Sequence, residues 1–566
     1  MKSLDWNKIL TLNKQYLSDQ QIVEQSEERG EEVPEWDKVA QTTVWERWAY
    51  YLYYNGNNGV NNYTYVPTVI QYLATQDGWN PVDGTPCTDS NSCIIKFGSG
   101  TINVSSMVLF SQGISFFIQS LLLPTIGALA DYGNHGPRIL LWITLVSCAA
   151  QIGFLGFSDQ GWTWWIALLL GIVVYVTYGA SLVFYAALFP RLAVNDPQVR
   201  TARREGMPQS DYMVLESLRR NHYSTISTTW SNIGFLLISI ILIGLFQGLA
   251  KAWNADVNNL PNFSLSIASA VCGGFWLVCA IPWFFIQKKR PGVPLPEGQS
   301  YWTQGWVSTI HAFKECKRLP QTFWYLLGYF VLADAVNTTG QVVAVIQNDL
   351  VNFGGSLLTF FGLIQAIASI FGCLAFLYIQ KYFKLQTKTM LQVSNVFTLM
   401  VPIWGCIGLG SSVIGFHDVR EMWAYQVWFG IFTAPFYAYT QTVMSELIPS
   451  GKENMFFALF GIANKVSSFI GPTIIGAVIN ATNNQWSGFP ICVALQILPI
   501  CIIWRVNMKK ASQDIKMYEE EERQKRGEVT PASGGSWIKE EGPVTTIHHE
   551  DVHEIHEHVD EKQSGL

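Results

Sequence analysis

Charge is what this sequence is short of. Only 14% of its 566 residues are Asp, Glu, Lys or Arg, against roughly a quarter in an average soluble domain, while 49% are hydrophobic. A chain of this length has too little polar surface for one water-soluble globule. The net charge of −6 is itself local: from Lys509 onward the tail holds 8 Lys/Arg and 14 Asp/Glu. Everything before it is neutral overall, so nucleic acid has no support as a partner. The first thirty residues lack a basic start, an apolar core and a small-residue cleavage site, which predicts insertion through internal helices. A Gly-rich phosphate loop and a G-x-S-x-G elbow are both missing, so neither a nucleotide-driven pump nor a hydrolase is indicated and no enzyme activity is expected. Of ten cysteines, only Cys87 and Cys93 share a polar loop. Their spacing permits a small disulfide if that loop faces an oxidising space; two free thiols is the equal alternative.

Long apolar blocks fill the space that charge leaves. A spanning helix needs about 20 mostly apolar residues, and twelve such blocks run between residues 44 and 506. The first is the least apolar, because NGNNGVNN at 55–62 interrupts the aromatic run WAYYLYY. Cytosolic loops collect Lys and Arg, which tests the count: alternate loops, beginning with the second, carry seventeen basic residues, and the others carry three. The alternation places both termini in the cytosol. Three glycosylation sequons, at Asn103, Asn262 and Asn480, then fall on the opposite side, close to the membrane. The expected fold is all-α: a polytopic membrane protein of twelve transmembrane helices in two pseudo-symmetric six-helix bundles. Its expected parts are a cytosolic segment 1–43, a bundle 44–287, a basic cytosolic linker 288–322, a bundle 323–506 and a disordered, acidic, His-rich tail 507–566. Such halves with a binding site at the midplane are the common plan of secondary transporters. The tail's HHEDVHEIHEH at 548–558 contains zinc-capable imidazoles, but its composition reads as disorder, so no metal or cofactor is assigned.

Gly127-Ala-Leu-Ala-Asp131-Tyr-Gly133-Asn-His-Gly-Pro-Arg138 closes the second block. It is similar to the loop 2-3 signature of the major facilitator superfamily, which implies a gating turn built on Gly127, Asp131, Gly133 and Arg138. Tyr132 stands where a basic residue is usual, and the turn is longer than the family's. DAVNTTG at 334–340, MSELIPSGKENMFFALFGIANKVSSFIGP at 444–472 and WERWAYYLYYNG near the first block resemble the fungal autophagy-related vacuolar amino-acid effluxers of that superfamily. The resemblance covers roughly residues 40 to 506. It implies a carrier in the vacuole membrane that exports amino acids to the cytosol after autophagic proteolysis, and it carries over no binding residues.

An ionisable side chain at the bilayer centre costs about 2.5–3.5 kcal/mol on insertion scales and marks a site by default. Asp334 lies eleven residues into the seventh block and Lys465 nine residues into the eleventh, depths of about 16 and 14 Å. Asn337, Thr338 and Gln341 follow Asp334 on one helix face. Asn464 and Ser468 flank Lys465, and Ser227, Thr228, Ser231 and Asn232 form a stripe on the fifth block. Asn58 and Asn61 belong to the break in the first, where unwound backbone exposes amides and carbonyls. The expected site holds a zwitterionic amino acid, with its ammonium on Asp334, its carboxylate on Lys465, and Tyr54, Tyr437 or Tyr439 beside its side chain. A standing Asp334–Lys465 ion pair that locks the halves is the other reading. Protons are a candidate co-substrate, with Asp334 their candidate carrier. A sugar or organic-acid carrier, or a scaffold signalling through its tail, remain open alternatives.

Overall fold

The computed structural model describes residues 39–525 apart from 88–92, 132–134, 159, 208, 258–259, 291–299, 384 and 450–452. Twelve rods carry the fold. Span 1 is Val44–Gly56 continued by Val66–Asp77; spans 2 to 6 are Val104–Asp131, Gly136–Gly153, Trp164–Ala186, Gln209–Trp253 and Phe263–Ile286. Spans 7 to 10 are Pro320–Leu350, Gly355–Phe383, Thr387–Ile407 and Val419–Glu446, span 11 is Glu453–Ser467 continued by Ile470–Thr482, and span 12 is Phe489–Arg505. Among the described residues nine helices are long and apolar enough to cross a membrane. Spans 1 and 11 miss that measure because each is interrupted, and span 10 because Thr433, Tyr437, Tyr439, Thr440 and Gln441 dilute it.

The two halves repeat one packing scheme. Span 1 lies on 5 and 6, span 3 on 4 and 6, span 2 on 4; span 7 lies on 11 and 12, span 9 on 10 and 12, span 8 on 10. Adding six to each number of the first set gives the second. Across the halves span 2 meets 11 and span 5 meets 8, pairs that the same operation exchanges. The breaks disobey this symmetry, since spans 1 and 11 are not counterparts. Many large apolar side chains point outward, Trp142, Ile240, Phe371 and Trp504 among them, which is the surface that lipid covers.

Helices of a membrane bundle associate through close packing at small residues. Gly234 of span 5 sits against the backbone of span 1, where an added Cβ would stand 2.6 Å from the Asn55 carbonyl carbon and nearer still to its oxygen. Both partners are backbone, so neither can step aside. Gly234→Ala is expected to destabilise the bundle by about 1–3 kcal/mol and to lower its melting temperature in detergent, whereas alanine at Gly244, which faces open space, leaves it unchanged.

Outside the spans, Ile94–Phe97 and Gly100–Asn103 form an antiparallel hairpin, and the Cys87 and Cys93 sulfurs are bonded beside it. This end of the molecule is called the hairpin face below. Asn103 is buried and its side chain accepts from the Ser105 amide at 2.9 Å, so the first sequon is folded away. On the opposite face, the linker forms a helix, Tyr301–Arg318, whose Trp306 indole donates to Thr125 of span 2 at 3.1 Å. The expected disorder from residue 507 is corrected in part: Met508–Lys525 is helical. Ala511, Ile515 and Tyr518 share one helix face, which packs into the second bundle's core. Tyr518 also donates to Glu315 of the linker helix at 2.6 Å, and Arg318 pairs with Glu521. Residues 1–38 and 526–566, with the His-rich run, lie outside the described residues.

Candidate functional site

The asparagine-rich interruption in span 1 behaves as its composition suggests. The helix stops at Gly56, leaves residues 57–59 unwound, and resumes through a π-turn over Asn61–Tyr65. Gly59 has φ +84°, a left-handed conformation open to glycine. Asn58 braces the gap at both ends: its amide donates to the Asn55 carbonyl at 2.9 Å and its oxygen accepts from the Val60 amide at 3.1 Å. Asn57 donates to Ser181 of span 4 at 3.0 Å, and Asn61 to Gln151 of span 3 and Ser269 of span 6 at 2.9 and 3.0 Å. These bonds satisfy backbone and side chains that lipid could not. A small cavity lies against the gap, and Asn62, which lines it, is buried with neither amide atom hydrogen-bonded within the protein.

Span 11 is broken at Ser468 and Phe469, and Asp334 answers that break. Its carboxyl is 3% exposed, and Oδ1 accepts from the Gly471 backbone amide at 3.0 Å and from the Thr338 hydroxyl at 3.1 Å. The half-helix Ile470–Thr482 thereby receives an acceptor at its amino end, where amides are unpaired and the dipole is positive. Gly471 permits the approach, because a Cβ there would lie 2.6 Å from Asp334 Oδ1 and would strike Thr338 Oγ1. Asn337 donates to Ser468 at 3.0 Å and accepts from the Tyr437 hydroxyl at 2.8 Å, while Asn464 donates to Tyr329 at 3.0 Å.

The structure therefore brings Asp334, Asn337, Thr338 and Asn464 together around one break, and Asn58 and Asn61 around the other. Asn232 and Gln341 are half-buried, each with one amide atom enclosed and making no hydrogen bond within the protein. The side chain of Lys465 lies outside the described residues, as do those of Gly127 to Asp131 and all of Gly133; Arg138 is described and exposed. Tyr439, expected beside the solute, instead donates to Gln380 of span 8 at 2.8 Å. Tyr63 and Tyr178 lie beside the gap, their rings meeting edge-on at 6.3 Å. Tyr63 is 61% exposed and Tyr178 half-buried. Tyr437 is 37% exposed.

The two halves are joined tightly at the hairpin face. Thr68 donates to Asn348 at 3.0 Å, Asn348 to Gln71 at 2.8 Å and Gln71 to Asp349 Oδ1 at 3.2 Å. Gln485 donates to Asp349 Oδ2 at 2.6 Å and to Ser105 at 2.8 Å, and Tyr65 meets Thr359 at 2.6 Å. One apolar core, with Val69 and Val108 from one half and Val342 and Phe361 from the other, continues through this seam. At the opposite face the cores are separate, one around Tyr185 and Trp283 and one around Tyr325 and Phe436. Between the halves there, Phe189 meets Phe457 at 5.9 Å, Ser224 donates to Gln441 at 3.4 Å, and Glu453–Ser467 of span 11 packs on span 2.

The sequence profile described as "Vacuole effluxer Atg22 like" matches residues 42–516. The chain belongs to this family. Relatives include autophagy-related protein 22-1 of Phaeosphaeria nodorum, 24% identical over 513 residues covering 82% of this chain and 89% of that protein. Autophagy-related protein 22 of Neurospora crassa is 26% identical over 514 residues, covering 79% and 68%. Among solved structures, the xylose transporter XylE from E. coli in a partially occluded inward-open conformation superposes with a TM-score of 0.53 at 11% identity, covering 82% of this chain and 98% of that one. The human organic anion transporter MFSD10 gives 0.51 at 12% identity, covering 81% and 100%. This Atg22-like chain thus has the major facilitator fold and is a multi-pass membrane protein of a family described as vacuole effluxers.

Proposed function

We propose that this Atg22-like chain carries amino acids from the vacuolar lumen to the cytosol by alternating access, returning the products of autophagic breakdown. The seam carries the reading: the halves share one core and a polar network at the hairpin face and keep separate cores at the other, which suits a carrier open toward the side where it releases solute. The excess of Lys and Arg in the loops opposite the hairpin supports a cytosolic location for that open side and for both termini. A disulfide on the hairpin side suits an oxidising lumen. The family's description as vacuole effluxers and the autophagy-related names of its members support membrane and direction. A zwitterion fits a site with neutral amides and tyrosines at one break and Asp334 and Lys465 at the other. In this reading Asp334 spends Oδ1 on the half-helix and offers Oδ2 to the ammonium, while Lys465 meets the carboxylate.

Purified protein in liposomes loaded with labelled leucine or tyrosine, under an imposed pH gradient, is expected to release both while retaining labelled glucose. Glucose efflux without amino-acid efflux would overturn the substrate. A rate indifferent to the gradient would remove protons as co-substrate.

A further inference from the structure

The linker between the halves is basic in sequence, yet its helix, Tyr301–Arg318, is two-sided. Ala312 and Cys316 sit in the second bundle's core. Away from that core, Trp306, Ile310 and Phe313 follow one another at i, i+4 and i+7, a single line along the helix. Val307 lies beside them, and all four are exposed, Ile310 at 55%. A helix surrounded by water seldom gathers its large apolar side chains on the outer face. Trp306 gives the height of the line: its indole reaches Thr125, six residues before span 2 ends at Asp131, about 9 Å inside that end.

The line is also continuous with surface that lipid covers. Thr125 lies one turn from Leu121 of span 2, which points outward. At the other end the Phe313 ring meets Phe323 edge-on at 6.1 Å, and Phe323 meets Trp324 at 6.4 Å. Trp324 and Leu327 of span 7 point outward as well, so apolar surface runs from one half to the other across the linker helix. Lys314 and Lys317 are exposed beside it, with Lys317 Nζ 5.2 Å from the centre of the Phe313 ring. Lysines in such places lay their stems on apolar surface and lift the ammonium toward headgroups, whose negative potential attracts it. Aromatic and aliphatic anchors on one face with lysines at its margin are the composition of helices that lie in a membrane interface.

We propose that Tyr301–Arg318 lies in the plane of the leaflet on the face opposite the hairpin, with Trp306, Ile310 and Phe313 seated at the acyl-chain boundary. Lipid is then the partner of the segment that joins the halves, and the inference stands independently of which solute is carried. Full-length protein bearing Ile310→Cys in a Cys501→Ser background is labelled with a nitroxide and reconstituted in liposomes of phosphatidylcholine and phosphatidylserine. Electron paramagnetic resonance compares the label's collisions with oxygen, which concentrates in lipid, and with a water-soluble nickel chelate. His311→Cys, exposed one residue further on, and Ile240→Cys, outward on span 5, are labelled likewise, and all three proteins are expected to keep the melting temperature of the Cys501→Ser parent in detergent. The label at 310 is expected to favour oxygen as the label at 240 does, at a depth of about 5–10 Å into the headgroup and acyl boundary, while the label at 311 favours nickel. Equal nickel accessibility at 310 and 311 would place the helix in water. A label at 310 that neither reagent reaches would show that protein, another segment of this chain or a second copy, covers the line. Either result would overturn the proposal.

Discussion

Replacing Asp334 by alanine is expected to stop transport and to destabilise the protein, whereas replacing it by asparagine is expected to stop transport alone. Alanine takes the acceptor from the Gly471 amide and the Thr338 hydroxyl, both buried. Leaving such groups unpaired costs about 1–3 kcal/mol, and losing a helix cap costs about 0.5–2 kcal/mol on its own account. Asparagine keeps an oxygen where Oδ1 now stands, so the half-helix retains its acceptor and the break its shape. The charge is lost. If that charge receives the substrate's ammonium, a charge-assisted bond worth about 1.5–3 kcal/mol disappears, a fall of about 10- to 150-fold in apparent affinity. Flux in liposomes and melting in detergent separate the two effects. Wild-type flux by Asp334→Asn would make Asp334 a structural cap and nothing more.

The second large effect is expected at the seam. Gln485 and Gln71, from opposite halves, clasp the two oxygens of Asp349, and both reach further, to Ser105 and to the Val345 carbonyl. Gln485→Ala with Gln71→Ala removes these bonds from the closed seam. Opening breaks the bonds that cross the halves: at about 1.5–3 kcal/mol for Gln71 to the Asp349 carboxylate and about 0.5–1.5 kcal/mol for Gln485 to Ser105, the loss is about 2–4.5 kcal/mol, enough to move a two-state equilibrium by a factor of at least about 30. The carrier is expected to open toward the hairpin face, seen as faster labelling of Ser105→Cys by a membrane-impermeant maleimide added from that side. Labelling at the rate of the single Ser105→Cys protein would show that these bonds do not hold the seam.

What could be read from residues alone follows from where each signal lies. Apolar blocks and alternating Lys/Arg loops are long, repeated patterns, and they carry the helix count and the six-plus-six plan. The gap at 57–59 was legible because glycine and asparagine cluster where lipid admits neither. Asp334 stood out as a charge in an apolar stretch. The break it caps lies at Ser468 and Phe469, which look like ordinary helix, just before Gly471 and Pro472, whose residue types allow a bend; that Asp334 holds this break shows only in the Gly471 amide beside the carboxyl. The seam was hidden for another reason: Gln71, Asn348, Asp349 and Gln485 sit near span ends, where polar side chains are commonplace. Their meaning comes from partners 136 to 380 residues away. Tyr439 was misplaced by helical phase, since it lies two positions beyond Tyr437 and so turns toward span 8. The acidic run at 518–526 reads as a short solvated helix or tail, and what it hides is the narrow face of Ala511, Ile515 and Tyr518 that packs on the core.

The central claim is that solute crosses only when the hairpin-face seam opens. It is tested most directly by joining Ser105→Cys to Gln485→Cys, whose native side chains touch across the halves at 2.8 Å, with a short bifunctional maleimide in a Cys501→Ser background. Leucine flux is then measured in liposomes. The joined protein is expected to carry no leucine, while each single-cysteine protein treated with the same reagent continues to transport. Undiminished flux through the fully joined protein would contradict alternating access at this seam.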